Sequence, residues 1–365
     1  RRRLWRLARR ADGACVFLGE DNLCRLHAET GAQTKPLACR AYPFVAVPGV
    51  GGPRVDLRFD CPSVAGNRGR TLSVHASEVG RLAAESGITG GAVTIPAWGR
   101  GRHLTGEEFL AVAAAFDRIL QTTAQPLRRR LRIGCQLLDV LYGARIDRVR
   151  DERFVELMEM LTTAALQQAE ETADEPAPPL PPSRKSIRLF RQWLFLHTIA
   201  DDPESLSAGR LARLRNSWRR YGYARQFSRA DGRVPPVRPD WPATTFAVVS
   251  AIGPASEDAL EPLCRAMRVK LDAHSFAGPG YFGCDVLAGL TALWLLPAVV
   301  GWLARLAAVG GGRGALTAAD VVAGVRQAHH TFGVSPVFGR IRERLRLRGL
   351  ARPGIPAAIL AAYGP

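Results

Sequence analysis

Cys15, Cys24, Cys39 and Cys61 crowd into the first 61 residues of a 365-residue chain that has only seven cysteines in all. A single thiol is most often a buried core residue. Four in one short, turn-rich segment need another account. Such a segment has little apolar surface to hold itself together, and a metal or disulfides usually supply what is missing. Four soft thiolates brought to one point suit zinc or an iron–sulfur cluster. Thiolates sharing one zinc would lie within about 4 Å of one another, given bonds near 2.3 Å. The spacing, C-x8-C-x14-C-x21-C, matches no ribbon or finger built from paired C-x2-C knuckles, so turns must do the gathering. Arg25 and Arg40 each directly follow a cysteine and are placed to offset thiolate charge. In an exported domain the same four cysteines could instead pair as disulfides, in three ways.

Other chemistry-bearing residues are sparse. Cys135, Cys264 and Cys284 stand singly and read as core thiols. His27 reads as a surface group or one that supports a ligand from behind. His329 and His330 are adjacent, so on a helix they face different sides and do not chelate together. The sequence has no H-E-x-x-H, no G-x-S-x-G, no Walker loop and no G-x-G-x-x-G after a strand. The glycine runs at Gly49 and Gly310 read as turns, and FAGPGYFGCD (Phe276–Asp285) reads as a connector.

The elements that must position the cysteines are short. ACVFL, GEDN and LCRLH form a predicted hairpin. KPLACRAYP is one helical turn, opened by Pro36 and stopped by Pro43. FVAVP, GVGG and RVDLRF make a second hairpin, closed by Cys61 before Pro62. From Ser77 the texture turns helical. Thr105 and Glu108 form a capping box at the head of TGEEFLAVAAAFDRILQTT, and helical periodicity continues over 127–142 and 151–171. DEPAPPLPPSRK is a proline-rich linker or loop. Helices follow at about 187–199, 207–227, 257–272, 285–308 and 317–331, with TTFAVVSAI as a strand between the second and third. The expected fold class is α+β, mainly α: a cysteine-rich hairpin/loop metal-binding domain over 1–75, helices over 76–173, the linker 174–185, and a helical region over 186–365. Nineteen uncharged residues between Asp285 and Arg305 reach the minimum length of a membrane span. Pro297, two glycines and the lack of a lysine-rich flank favour a buried core helix over 286–304.

A net charge of +17 invites a nucleic-acid partner. Only Lys35, Lys185 and Lys270 are lysines, however, and the arginine clusters at Arg128 and Arg340 read as solvated helix faces interleaved with core leucines. Aromatic residues do not alternate with those clusters as a stacking surface requires. Neither a nucleic-acid nor a membrane partner is expected. The chain opens on Arg1 without a signal-peptide pattern, and a cytoplasmic location is expected.

The pattern C-x2-L, C-x-L-H, KP-x2-CR-x-YPF and CPS resembles the YkgJ-like cysteine-cluster family, described as zinc- or iron-chelating and related to the flagellin lysine N-methylases. The positions that carry it are Cys15, Leu18, Cys24, His27, Lys35, Pro36, Cys39, Arg40, Tyr42, Pro43, Phe44 and Cys61, within residues 11–70. The resemblance implies that the four cysteines are metal ligands. It also implies a further C-x2-C-x2-CC cluster upstream, so the chain reads as truncated at its start. An alternative carried by the same resemblance is a protein-lysine N-methylase, which would use S-adenosylmethionine and take a protein substrate. A third is a scaffold or regulatory protein with a purely structural metal.

Overall fold

The first elements are short, as the turn residues dictate. Helices α1 (Arg25–Thr30) and α2 (Leu37–Ala41) precede an antiparallel hairpin, β1 (Phe44–Gly49) and β2 (Gly52–Leu57), and the single turn α3 (Pro62–Ala65). The hairpin register runs from Phe44↔Leu57 to Gly49↔Gly52. The tight turn between the strands is passable because Gly51 and Gly52 take φ of 80° and 130°, where a side chain would be strained. The computed structural model describes residues 7–10, 14–88, 93–99, 101–144, 146–171, 180–198, 209–237 and 241–365. Half of the proline-rich linker, 174–179, lies outside them.

Helices make up the rest: α4 (Ala76–Glu85), α5 (Gly106–Gln121), α6 (Leu127–Gly143), α7 (Asp151–Glu171), α8 (Arg184–Thr198) and α9 (Arg210–Arg229). Short strands β3 (Ala97–Gly99) and β4 (Arg102–His103) pair ahead of α5. Thr105 and Glu108 form the predicted capping box, with mutual bonds of 3.2 and 3.0 Å. Glu108 is also fully buried against Arg102 at 2.9 Å and accepts the Asp151 N–H at 3.0 Å. One carboxylate therefore starts α5 and ties it to β4 and α7.

Then come α10 (Phe246–Ala251), α11 (Glu261–Asp272), α12 (Val286–Gly310), α13 (Ala318–Thr331), α14 (Ile341–Leu350) and α15 (Ile355–Tyr363). The chain is mainly helical, as expected. TTFAVVSAI is not a strand. Thr245 caps α10 by accepting the Val248 N–H at 3.3 Å, and Phe246 packs on Phe227 and Trp302. Tertiary packing overrides the β-branched propensity here. Within the stretch Thr245 alone makes a bridge, to Arg233, and the strand Gly253–Ala255 that follows it pairs in parallel with Ala315–Leu316. LCRLH likewise gives a bridge at Leu18↔Cys24 and then α1, not a second strand.

Helix α12 is the centre. It is long and apolar enough to cross a membrane, yet its apolar window is wholly buried among α6, α10, α13 and α15. The expected core helix is what the chain forms. Asp285 caps it by accepting the Ala288 N–H at 2.8 Å. Trp294 donates to the Leu131 carbonyl at 3.2 Å and meets Phe116 edge-on at 4.6 Å. Gly289 lets the Phe276 carbonyl close on the helix, where a Cβ would collide with that oxygen. Gly289→Ala is therefore expected to cost about 1–3 kcal/mol in urea unfolding. An unchanged midpoint would mean that the contact relaxes freely.

Candidate functional site

Each of the four clustered cysteines sits at a turn or in the first turns of a helix. Cys15 is half-buried and bridges Arg9 through the backbone. Cys24, also half-buried, precedes α1. Its carbonyl accepts the Ala28 N–H at 3.0 Å. Cys39 lies in α2, donating its N–H to the Pro36 carbonyl at 2.8 Å. Cys61 is buried and opens α3, with its carbonyl accepting from Ala65 at 3.0 Å. All are free thiols. Among the described residues, no three His, Cys, Asp or Glu side chains are assembled as metal ligands. The four sulfurs therefore do not stand as a formed tetrathiolate.

The two arginines beside the cysteines are engaged elsewhere. Arg25 donates to the Val16 carbonyl at 2.8 Å. Arg40 binds Gln33 at 2.9 Å and forks onto Glu85. These bonds hold α1 and α2 in place.

Cys61 belongs to a denser constellation. The Tyr42 side chain is only partly covered, and that partial burial, then the nearby Asp60 and Cys61, pushes its hydroxyl up from its ordinary range. Arg58 clasps Asp60 through Nε at 3.2 Å and a terminal nitrogen at 2.6 Å. His330 Nδ1 lies 3.6 Å from the same carboxylate. Burial pushes the Asp60 carboxyl up, but the neighbouring His330 and the bonds from Arg58 outweigh it and hold the group below the usual carboxylate range.

This end of the segment is fixed to the helical body. Lys270 of α11 places Nζ 2.8 and 2.6 Å from the two Asp56 oxygens and donates to the Leu57 carbonyl at 3.2 Å. Arg265 donates to the Val64 and Ala65 carbonyls at 2.7 and 3.0 Å. Arg326 of α13 reaches the Asp60 carbonyl at 3.3 Å. Phe59 is fully buried with its ring 5.2 Å from that of His329. Sequence reasoning missed these partners. The one available signal was Asp56, an acid alternating with apolar residues on a strand.

Behind the junction lies a group of buried neutral side chains that periodicity alone could not separate from ordinary core. His329 is buried and faces away from the exposed His330, as their adjacency requires. His197 shares a hydrogen bond at Nδ1 with the Thr331 hydroxyl, 2.9 Å away. Its Nε2, the Tyr281 hydroxyl and both His329 nitrogens have no hydrogen-bond partner among the described residues. Burial pulls His197 down to about 3, and it pulls His329 well down too, helped by Lys270, His197 and Arg58. The connector Phe276–Asp285 is part of this core, with Phe276 and Tyr281 fully buried. Cys135 and Cys284 are the buried thiols expected, while Cys264 is only half-buried.

No protein-family model, curated protein or solved structure matches the chain.

Proposed function

We propose that the segment from Cys15 to Cys61 is a metal-binding module on a helical body, its four thiols taking zinc or an iron–sulfur cluster. The observation that supports this is energetic. Not one described residue from 14 to 46 is fully buried, and the first that is, Val47, already belongs to the hairpin. A stretch with no core of its own needs another source of folding free energy. Four soft, unpaired thiols at its turns are the chemistry that supplies one. The thiols fit such a metal by type and number, and the loops between them would have to close to bring them together. Binding of a structural zinc supplies about 10 kcal/mol or more in small domains, enough to drive that closure. The residue pattern shared with the YkgJ-like proteins supports the same reading.

The test is anaerobic expression of the chain, with metal analysis and absorption spectra of the wild type and of C15S, C24S, C39S and C61S. The expected result is bound metal that each substitution depletes. Protease cleavage should rise within residues 14–46 and leave the helical body resistant. Metal content unaffected by all four substitutions would sink the proposal.

A further inference from the structure

The strongest unassigned surface is helix α9. Its twenty residues, RLARLRNSWRRYGYARQFSR, hold seven arginines and no acid. Leu211, Leu214, Trp218 and Tyr221 are 84%, 56%, 68% and 63% exposed. Their spacing of three, four and three residues puts all four on one outward stripe. The opposite side, through Phe227, is packed against Phe195 of α8 and Trp302 of α12. Four large exposed apolar side chains in a row are uncommon on a soluble surface and mark an interaction site. Trp218 and Tyr221 lie edge to face at 6.5 Å, and exposed Arg215 and Arg219 flank the stripe.

At its C-terminal end the stripe runs into a groove of about 550 Å³ between α8, α9 and α14. Arg188, Arg225, Arg229 and Arg346 line it, with Glu343 as its only acid. Glu343 is already paired with Arg346. The other three guanidinium groups have no acidic partner among the described residues.

We propose that α9 docks on an anionic phospholipid surface. The Leu–Leu–Trp–Tyr stripe enters the boundary between headgroups and acyl chains, and the arginine groove takes a lipid phosphate. The exposed face sets leucines beside aromatic residues with arginines along it, the side-chain types of an interfacial surface, while the apolar residues of the other face are taken up by Phe195 and Trp302 of the body. A second copy of the chain is disfavoured as the occupant, because two such helices would face each other with only positive charge. Nucleic acid would use the arginines and the two rings, but it leaves Leu211 and Leu214 without a role. The sequence expectation of no membrane partner weighed only the span 286–304, which is buried, and not this face.

The experiment is flotation of the full chain with vesicles of phosphatidylcholine alone and of phosphatidylcholine mixed with phosphatidylglycerol. The expected result is flotation with the anionic vesicles only, reversed by high salt. L211S/W218S and R215E/R219E should each weaken binding about tenfold or more while leaving the melting temperature unchanged, since all four side chains are exposed. R225E/R229E should do the same if the groove holds the phosphate, and inorganic phosphate should then compete. Failure to float, or equal flotation with neutral vesicles, would overturn the proposal. So would wild-type binding by both stripe variants, or an oligonucleotide that binds more tightly than the vesicles. A dimer that L211S/W218S converts to monomer would reassign the stripe to self-association.

Discussion

Asp56→Ala is expected to destabilise the protein by about 3–5 kcal/mol, the cost of stranding one partner of a buried ion pair. Asp56 and Lys270 are 6% and 4% exposed, and the ammonium is bound by both carboxylate oxygens and the Leu57 carbonyl. Removing the carboxylate leaves a cation in a low-dielectric site with a single neutral acceptor. The ammonium must then lose its proton or draw in water, and either route works against docking of the hairpin on α11. The pair itself need not be strongly stabilising, since desolvation offsets much of the Coulomb attraction. Asp56→Leu combined with Lys270→Met should therefore recover most of the loss. Urea unfolding of the two single variants and the double variant measures this coupling. A double variant as damaged as the sum of the singles would show that packing, not charge, sets the cost.

The second large effect is acid instability. His197, His274 and His329 are all held neutral by burial, His197 down to about 3 and His274 to about 4. The Arg54 guanidinium adds to the effect at His274. Below the ordinary imidazole range the unfolded chain binds protons that these three side chains refuse in the fold. Unfolding is then favoured as pH falls. Each contributes about 1.4 kcal/mol per pH unit until its own folded pKa is reached. The loss begins near pH 6.5 and continues to about pH 4 for His274 and about pH 3 for His197. At still lower pH, Asp60 adds to it, because a carboxyl held below its unfolded range contributes stability that vanishes on protonation. Since domains are stable by only about 5–15 kcal/mol, unfolding is expected between about pH 4 and 5. Urea unfolding across pH 7 to 4 checks this, and His329→Leu should lower the slope by about one histidine's share. A stability that is flat over that range would contradict the burial argument.

How far the sequence could be read depended on whether a signal was local. The capping box at Thr105 was legible because both of its bonds are made between residues three apart. The hairpin of β1 and β2 was legible from alternation and a glycine loop. The core nature of α12 followed from borderline length together with Pro297. TTFAVVSAI misled because its residues favour strands in isolation, while Trp302, far along the chain, sets their surroundings. The site divides in the same way. The four cysteines announce themselves by type and clustering. The clamp from Lys270, Arg265 and Arg326 onto residues 56–65 spans more than two hundred residues and leaves no local trace. The stripe on α9 was hidden for another reason. Both of its faces carry apolar residues, so periodicity marks a helix without saying which face is covered.

The position of α12 in the chain also sets the order in which the protein can assemble. Helices α5, α6 and α7 leave the ribosome well before Val286 is made. At ordinary synthesis rates α5 and α6 wait on the order of ten seconds for the helix they pack against. During that interval Phe116 and Leu131 have no Trp294 to receive them. The early helices can form and touch one another, but their shared core remains open. Folding of the body is therefore completed from the C-terminal side, when the most apolar segment of the chain enters the shell that surrounds it. A chain stalled before Trp294 would leave that shell open to aggregation or chaperone capture. Such a chain would also lack Arg326, and with it the α13 contact that holds the Asp60 carbonyl to the body.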